Sequence, residues 1–324
     1  MQTLKFTGER YLPTESGQIR LEHVHRYLVG REIAGGKTVL DIACGEGYGS
    51  AMLAQVAKHV IGVDISDEAI AHARSAYGAS RNLEFISGSA TSIPLNSASV
   101  DLVVSFETIE HLAEQEEMLA EIKRVLKPDG TLLLSSPNRT IYSELAGYRN
   151  EYHVKELDFA ELEALLRRHF PCIRFLSQRL TAGSLISADT GNRDGLRSYI
   201  DADDTTKEGV PNILKPVYFL ALCSAREVSG LLSQASIFFS DAYDVFDEKS
   251  EIANWAHKVD AQLEDVRSKY GALVSEHEEV SQWAQQLNVE LTSARQSASM
   301  LEREREEVRT RQAAQQAEMA AMNE

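Results

Sequence analysis

The chain has 324 residues, 25% of them charged, and carries a formal net charge of −16. Such a length is more than one ordinary domain but not a large assembly. The acidic balance argues against a nucleic-acid backbone or an anionic membrane as partner, and no basic run with interleaved aromatics is present.

Three scattered cysteines, Cys44, Cys172 and Cys223, argue against a disulfide framework or a metal cluster. Cys44 reads as a small packing residue. The first residues, Met1-Gln-Thr-Leu-Lys-Phe6, lack the apolar core of a signal peptide. The apolar stretch Val217–Cys223 is too short to span a bilayer. A reduced, cytoplasmic protein is expected.

Along the chain, Gly8-Glu-Arg-Tyr-Leu-Pro13 is turn-like, and Ile19 to Ile33 reads as a helix with Glu22, His25, Arg26 and Tyr27 on its polar side. A solvated charged face or a cover over the site would both explain that crowding. From residue 37 the pattern alternates. Strands are expected at 38–42, 59–64, 83–87, 100–105 and 131–136, and helices at 48–57, 67–77 and 116–126. Near-continuous apolar strands alternating with helices predict a parallel sheet buried on both faces, with its ligand at the carboxyl ends of the strands. Ser135–Arg139 reads as a loop, followed by a helix at 157–168, a strand at 172–179 and a last strand over Lys215–Cys223. Residues 181–214 are polar and irregular and read as a substrate lid.

The chemistry concentrates in Val39-Leu-Asp-Ile-Ala-Cys-Gly-Glu-Gly-Tyr-Gly49. Glycines let bare backbone approach a ligand, and free N–H groups gather where a strand turns into a helix. A dinucleotide site would read G-x-G-x-x-G, but Gly45, Gly47 and Gly49 give G-x-G-x-G, with Ser50 at the third dinucleotide position. Asp41 can face the cationic amino-acid end of S-adenosylmethionine. Asp64, ending the next apolar run, can bridge two ribose hydroxyls with its two oxygens.

With these residues the sequence resembles the class I S-adenosylmethionine-dependent methyltransferases over roughly residues 1–225. Asp41, Gly45, Gly47 and Asp64 match the first two motifs of that family. Ser87-Gly-Ser-Ala90 with Ile93-Pro-Leu95 resembles the third, though Ser89 stands where an aspartate normally meets the adenine. Val100–Glu107 resembles the fourth, and Leu126–Leu134 the turn and fifth strand. The resemblance implies a Rossmann-like seven-stranded α/β sheet whose last two strands are antiparallel, with the 181–214 insert overhanging the site. It implies cofactor contacts at Asp41, Ala43, Gly45, Gly47, Asp64, Ile65, Ser89, Ala90 and Phe106, and at Arg26 from a covering segment over 1–36.

Methyl transfer to a hydroxyl needs a base, and histidine suits neutral pH. His111, just past the fourth strand, and His153, after the fifth, are the candidates, with Glu107 as partner or orienter. Glu107, Glu110 and His111 could also hold a divalent cation, but Glu-x-x-Glu-His alone is weak evidence, and no metal ligand is assigned. Phe106–Leu112 resembles O-methyltransferases of ubiquinone biosynthesis. Together with Gly8–Tyr11, Glu22–Arg26, Ser136–Asn138 and Tyr152–Glu156 it looks more like bacterial methyltransferases of surface-polysaccharide assembly. That resemblance implies a sugar hydroxyl of a bacterial glycan, such as O-antigen, as acceptor. A quinone or phenolic acceptor, or a non-catalytic scaffold, is the alternative.

Residues 226–247 read as a linker. From Ile252 apolar residues recur at alternating steps of four and three through Leu263, Leu273, Leu287 and Leu301 to Met322. A heptad this long over 248–324 predicts a coiled coil of roughly 105 Å that joins copies into a homo-oligomer. The polysaccharide resemblance adds a glycosyltransferase as partner or fused domain. It places the chain at the inner membrane only through such a partner. Heptads still running at Asn323-Glu324 suit a chain that continues into a further domain.

Overall fold

The computed structural model describes residues 17–181, 199–202, 205–208, 213, 215–227, 232, 234–238 and 245–322. The chain divides into two units, Met1–Val245 and Phe246–Glu324.

The first unit opens with helix α1 (Gln18–Ala34). Strands and helices then alternate: β1 (Thr38–Ile42), α2 (Tyr48–Ala54), β2 (His59–Asp64), α3 (Asp67–Tyr77), β3 (Leu83–Ser87), β4 (Val100–Ser105), α4 (Gln115–Val125) and β5 (Leu126–Pro137). After α5 (Phe159–Arg167) come β6 (Cys172–Gln178), the short pair β7 (Tyr199–Ala202) and β8 (Thr205–Glu208), and β9 (Tyr218–Ser224). The seven-stranded sheet runs β3-β2-β1-β4-β5-β9-β6. Strands β1 to β5 are parallel; β9 lies antiparallel between β5 and β6. This is the expected Rossmann-like sheet with its antiparallel last pair.

Side chains alternate across a strand. Along β1, Val39 packs with Val60, Leu102, Val104 and Leu133 against α1, α2 and α3, while Leu40 and Ile42 pack on the other face with Ile122 and Leu162 of α4 and α5. Asp41 therefore projects toward the α1 and α2 face, where Val39 also points. That alternation decides the surroundings of the one acid inside the strand.

Some boundaries differ from expectation. Helix α2 stops at Ala54, because Gln55–Ala57 turns back toward Lys37 and β2. Strand β5 starts at Leu126 rather than 131; its register with β4 is irregular between Leu126 and Thr131, where Lys127-Pro-Asp-Gly130 bulges. Ser135–Pro137 is strand rather than loop, because β9 pairs it through to Pro137 opposite Tyr218. Most of the segment read as a lid, 181–214, lies outside the described residues. Within it, β7 and β8 pair from Tyr199 opposite Glu208 to Ala202 opposite Thr205, so that part is a hairpin rather than irregular. Its aromatic and β-branched residues Tyr199, Ile200, Thr205 and Thr206 favour strand, which the surrounding acids concealed.

The second unit is one helix, α6 (Val245–Met322), starting three residues before the expected boundary. Its 78 residues rise about 117 Å. The stripe residues Ile252, Leu263, Leu273, Leu287, Leu291 and Leu301 are all exposed.

Candidate active site

Two neighbouring clusters lie at the carboxyl ends of the parallel strands, where the strand order reverses between β1 and β4. The first is the turn after β1. Ala43, Gly45 and Gly47 all have left-handed backbone, with φ of 58°, 57° and 92°. For Ala43 that conformation is strained, a cost tolerated mainly where the backbone must present its N–H groups. A Cβ at Gly47 would lie 2.7 Å from the Phe85 ring. One at Gly49 would lie 2.0 Å from Tyr27 Cζ. These glycines are thus required by packing as well as by any ligand.

Asp64 ends β2 and braces the turn. Its Oδ2 accepts from the Gly45 N–H at 2.8 Å and its Oδ1 from the Ser66 N–H at 2.9 Å. Ser66 caps α3 by accepting from the Ala69 N–H. Each Asp64 oxygen keeps a second lone pair for a ribose hydroxyl.

Asp41 is wholly buried. Ser50 Oγ donates to its Oδ2 at 2.6 Å, and the Tyr27 hydroxyl lies 3.2 Å and 3.3 Å from its two oxygens. Burial pushes its pKa up to about 7, against the opposing pull of those two hydroxyls. Desolvation outweighs hydrogen bonding here.

The polar side of α1 is not a solvated face: Glu22, Arg26 and Tyr27 are buried. Tyr27 meets Phe106 and Tyr48 edge-on, with ring centres 5.0 Å and 5.3 Å away. Arg26 Nη1 lies 3.2 Å from Glu107 Oε1, its Nε donates to Gln178 at 2.7 Å, and its guanidinium sits 4.1 Å above the Tyr218 ring. The expected cofactor contact at Arg26 thus coincides with an internal clamp joining α1 to β4, β6 and β9.

Glu107 carries the second cluster. It too has left-handed backbone, with φ of 48°. Its N–H donates to Ser135 Oγ at 3.0 Å, and that hydroxyl donates back to Oε1 at 2.7 Å. One 3₁₀ turn on, over Ile109–His111, the Glu110 carbonyl accepts from the Val154 and Lys155 N–H groups at 2.9 Å and 3.0 Å. Those bonds pin the His153 loop beside His111. The two imidazole centres are 4.9 Å apart and perpendicular.

His111 Nδ1 donates to the Tyr152 carbonyl at 3.0 Å. His153 Nδ1 meets Glu156 Oε1 at 2.5 Å, and its Nε2 lies 3.0 Å from Asn150 Nδ2. Asn150 Oδ1 accepts from the Tyr152 N–H, so the amide nitrogen is the group facing His153, and Nε2 there is the acceptor. Tyr142 stacks on His153 at 5.5 Å, and burial pushes its pKa up to about 12.

The three residues expected to carry catalysis, Glu107, His111 and His153, therefore lie in one region. Among the remaining expected contacts, Ile65 is exposed, and Ser89 Oγ is 2.8 Å from Thr91 Oγ1. Ala90 is half-buried and Phe106 buried. Sequence reasoning missed Ser50, Ser135, Gln178 and Tyr218. Only Ser50, inside the glycine motif, left a local signal. A cavity of about 360 Å³ lies between α1 and β6, lined by His25, Arg26, Val29, Arg174 and Gln178 among others.

Residues 40–134 match the family model described as "Methyltransferase domain". That match takes in 95 of the 324 residues, and the relatives similar to the chain are described as S-adenosylmethionine-dependent methyltransferases. A "Probable S-adenosylmethionine-dependent methyltransferase" of Mycolicibacterium smegmatis is 40% identical over 168 residues, covering 50% of this chain and 63% of that protein. One of the same description from Mycobacterium tuberculosis is 40% identical over 168 residues, covering 50% of this chain and 60% of its own length. The mitochondrial "Ubiquinone biosynthesis O-methyltransferase" of Schizosaccharomyces pombe is 32% identical over 139 residues, covering 42% of this chain and 50% of that one. The chain spans about three fifths of the two mycobacterial relatives. The methyltransferase domain begins inside β1 and ends inside β5, so it includes the glycine turn, Asp64 and the Glu107–His111 segment.

Proposed function

We propose that this chain is an S-adenosylmethionine-dependent O-methyltransferase whose acceptor is a sugar hydroxyl of a bacterial surface glycan or its lipid-linked precursor. The cofactor lies along Gly45–Gly49 with its ribose on Asp64. The observation that carries the acceptor reading is the wall around His153. Tyr142 stacks on that ring, Tyr148 packs edge-on against Tyr142, and Asn150 and Glu156 bond its two nitrogens. Tyr148 and Tyr152 are exposed. Aromatic rings offer flat apolar surface to the C–H face of a sugar, while the amide and carboxylate suit hydroxyls. A quinone would call for an apolar pocket.

Methyl transfer from a sulfonium is an in-line displacement. Catalysis rests on placement and on deprotonating the acceptor. The Glu156 contact at Nδ1 leaves the lone pair of a neutral His153 on Nε2. The quinone reading keeps one support, the likeness to ubiquinone-biosynthesis enzymes.

The exposed apolar stripe of α6 suits self-association as a coiled coil, or docking to a glycan-assembly partner such as a glycosyltransferase. We place the protein in the cytoplasm, reaching the inner membrane only through that partner. Among the described residues no helix is long and apolar enough to cross a membrane.

The test offers methyl-labelled S-adenosylmethionine with either oligosaccharides or catechols as acceptor. Label in the carbohydrate supports the proposal. Label only in the catechol replaces it with the quinone reading, and absence of cofactor binding leaves a scaffold.

A further inference from the structure

Glu110 is the least comfortable polar side chain in this region. It is wholly buried, and neither carboxylate oxygen has a hydrogen-bond partner among the described residues. A buried carboxylate without partners costs folding free energy, so such a group needs a reason to be there. A histidine base does not supply one, because that chemistry needs a single imidazole and an orienting acid, and Glu156 already fills the second role.

The neighbours of Glu110 supply a reason. One ligand atom each from Glu110, His111 and His153 lies within 4.8 Å of the other two. Each imidazole has an acceptor at Nδ1. The Tyr152 carbonyl accepts from Nδ1 of His111, and the Glu156 carboxylate takes Nδ1 of His153. In each neutral ring the lone pair then sits on Nε2. An acceptor on the remote nitrogen is the arrangement that fixes the tautomer of a metal-bound histidine. The backbone bonds from Val154 and Lys155 to the Glu110 carbonyl hold the three donors together across 43 residues of sequence. Asn150, whose amide nitrogen faces Nε2 of His153, is the group a cation would displace.

We propose that Glu110, His111 and His153 form a binding site for one divalent transition cation. Two imidazoles and one carboxylate suit cobalt, zinc or iron better than magnesium or calcium, which prefer oxygen donors throughout. Three protein donors leave coordination positions open, as in a catalytic rather than a structural site. The placement rests on geometry. The role, which rests on the O-methyltransferase reading, is to take the acceptor hydroxyl as a further ligand and lower its pKa. The hydroxyl proton then passes to water. The oxygen's electron pair forms the new bond to the methyl carbon as the carbon–sulfur bond breaks, and the sulfonium becomes a neutral thioether. His153 thereby acts as a ligand, and the cation replaces it as the activating group.

The experiment strips the full chain with a chelator, removes the chelator, and titrates CoCl₂ while following visible absorption and heat. The expected result is one cobalt per chain with ligand-field bands, and at least tenfold weaker binding in both Glu110→Gln and His153→Gln. Equal binding in the wild type and both variants overturns the site, whichever variant folds less well. Stripped protein should still bind S-adenosylhomocysteine in a calorimeter but lose methyl transfer until Co²⁺ or Zn²⁺ is restored. Full turnover by stripped protein overturns the role. Cobalt bands without S-adenosylhomocysteine binding leave the site intact and remove the methyltransferase reading.

Discussion

Arg26 of α1 and Glu107 at the end of β4 form an ion pair of 3.2 Å in which the arginine side chain is wholly buried and the glutamate nearly so. The pair joins α1 to the carboxyl ends of the parallel strands. Burial opposes the guanidinium charge, but Glu107 and Tyr218 outweigh it and leave the pKa of Arg26 raised. Breaking a buried pair from one side leaves the other charge uncompensated and costs about 3–5 kcal/mol. Arg26→Met should therefore lower the melting temperature of the first unit markedly. The double variant, Arg26→Met combined with Glu107→Gln, should recover much of the loss. A double variant destabilised by the sum of the losses in Arg26→Met and Glu107→Gln alone, in scanning calorimetry, would show that the pair is not coupled.

Asp41 gives a pH prediction. Its folded pKa of about 7 lies above the ordinary value of 3.8, so the native state holds the proton more tightly than the unfolded chain. This group's contribution is full below the unfolded pKa and is lost as pH rises from about 4 to about 7. Asp41→Asn should flatten that part of the stability curve. A cationic cofactor beside the turn favours the ionised carboxylate, so binding below pH 7 should release a proton and weaken as pH falls. Calorimetry in buffers of different ionisation enthalpy reads that proton directly; identical heats in all of them would exclude it.

Gly49 and Tyr27 are in contact so close that Gly49→Ala must displace the ring. Overpacking of this kind costs about 1–3 kcal/mol. The displaced hydroxyl would leave Asp41 with Ser50 alone. The variant should melt several degrees lower and bind cofactor more weakly, measured by calorimetry; a wild-type melting point would mean that α1 shifts freely.

Removing residues 248–324 should leave the first unit folded and able to bind cofactor, because its core is complete within Met1–Val245. By light scattering the truncated chain should form particles of fewer chains than the full-length protein does. An unchanged number of chains per particle would remove the coiled-coil role.

Much of this was legible in the sequence, for physical reasons. Parallel strands buried on both faces leave nearly unbroken apolar runs, so β1, β2 and β4 stood out at their observed ends, and the edge strand β3 did so by alternating buried Leu83 and Phe85 with exposed Glu84. Glycine spacing and the acids after the strands marked the site, because no other residue tolerates the backbone of Gly47. The π-helical turn Thr140–Glu144, which sets Tyr142 on His153, was not legible. Nor were the pairings of Arg26 with Gln178 and of Ser135 with Glu107, which join residues 152 and 28 positions apart. Such pairings have no period to read. The polar side of α1 was ambiguous because burial of Glu22 and Arg26 depends on partners from β4, β6 and β9. The burial of Glu110 was not legible, because the loop bonded to its carbonyl comes from Val154 and Lys155, more than forty positions on.

The most direct measurement is a calorimetric titration of S-adenosylhomocysteine into the wild type and Asp64→Ala. The account predicts saturable one-to-one binding by the wild type and a loss of most affinity, at least tenfold, in the variant. Equal affinity in both proteins would remove the ribose from β2, and an absence of heat in the wild type would contradict the enzymatic account altogether.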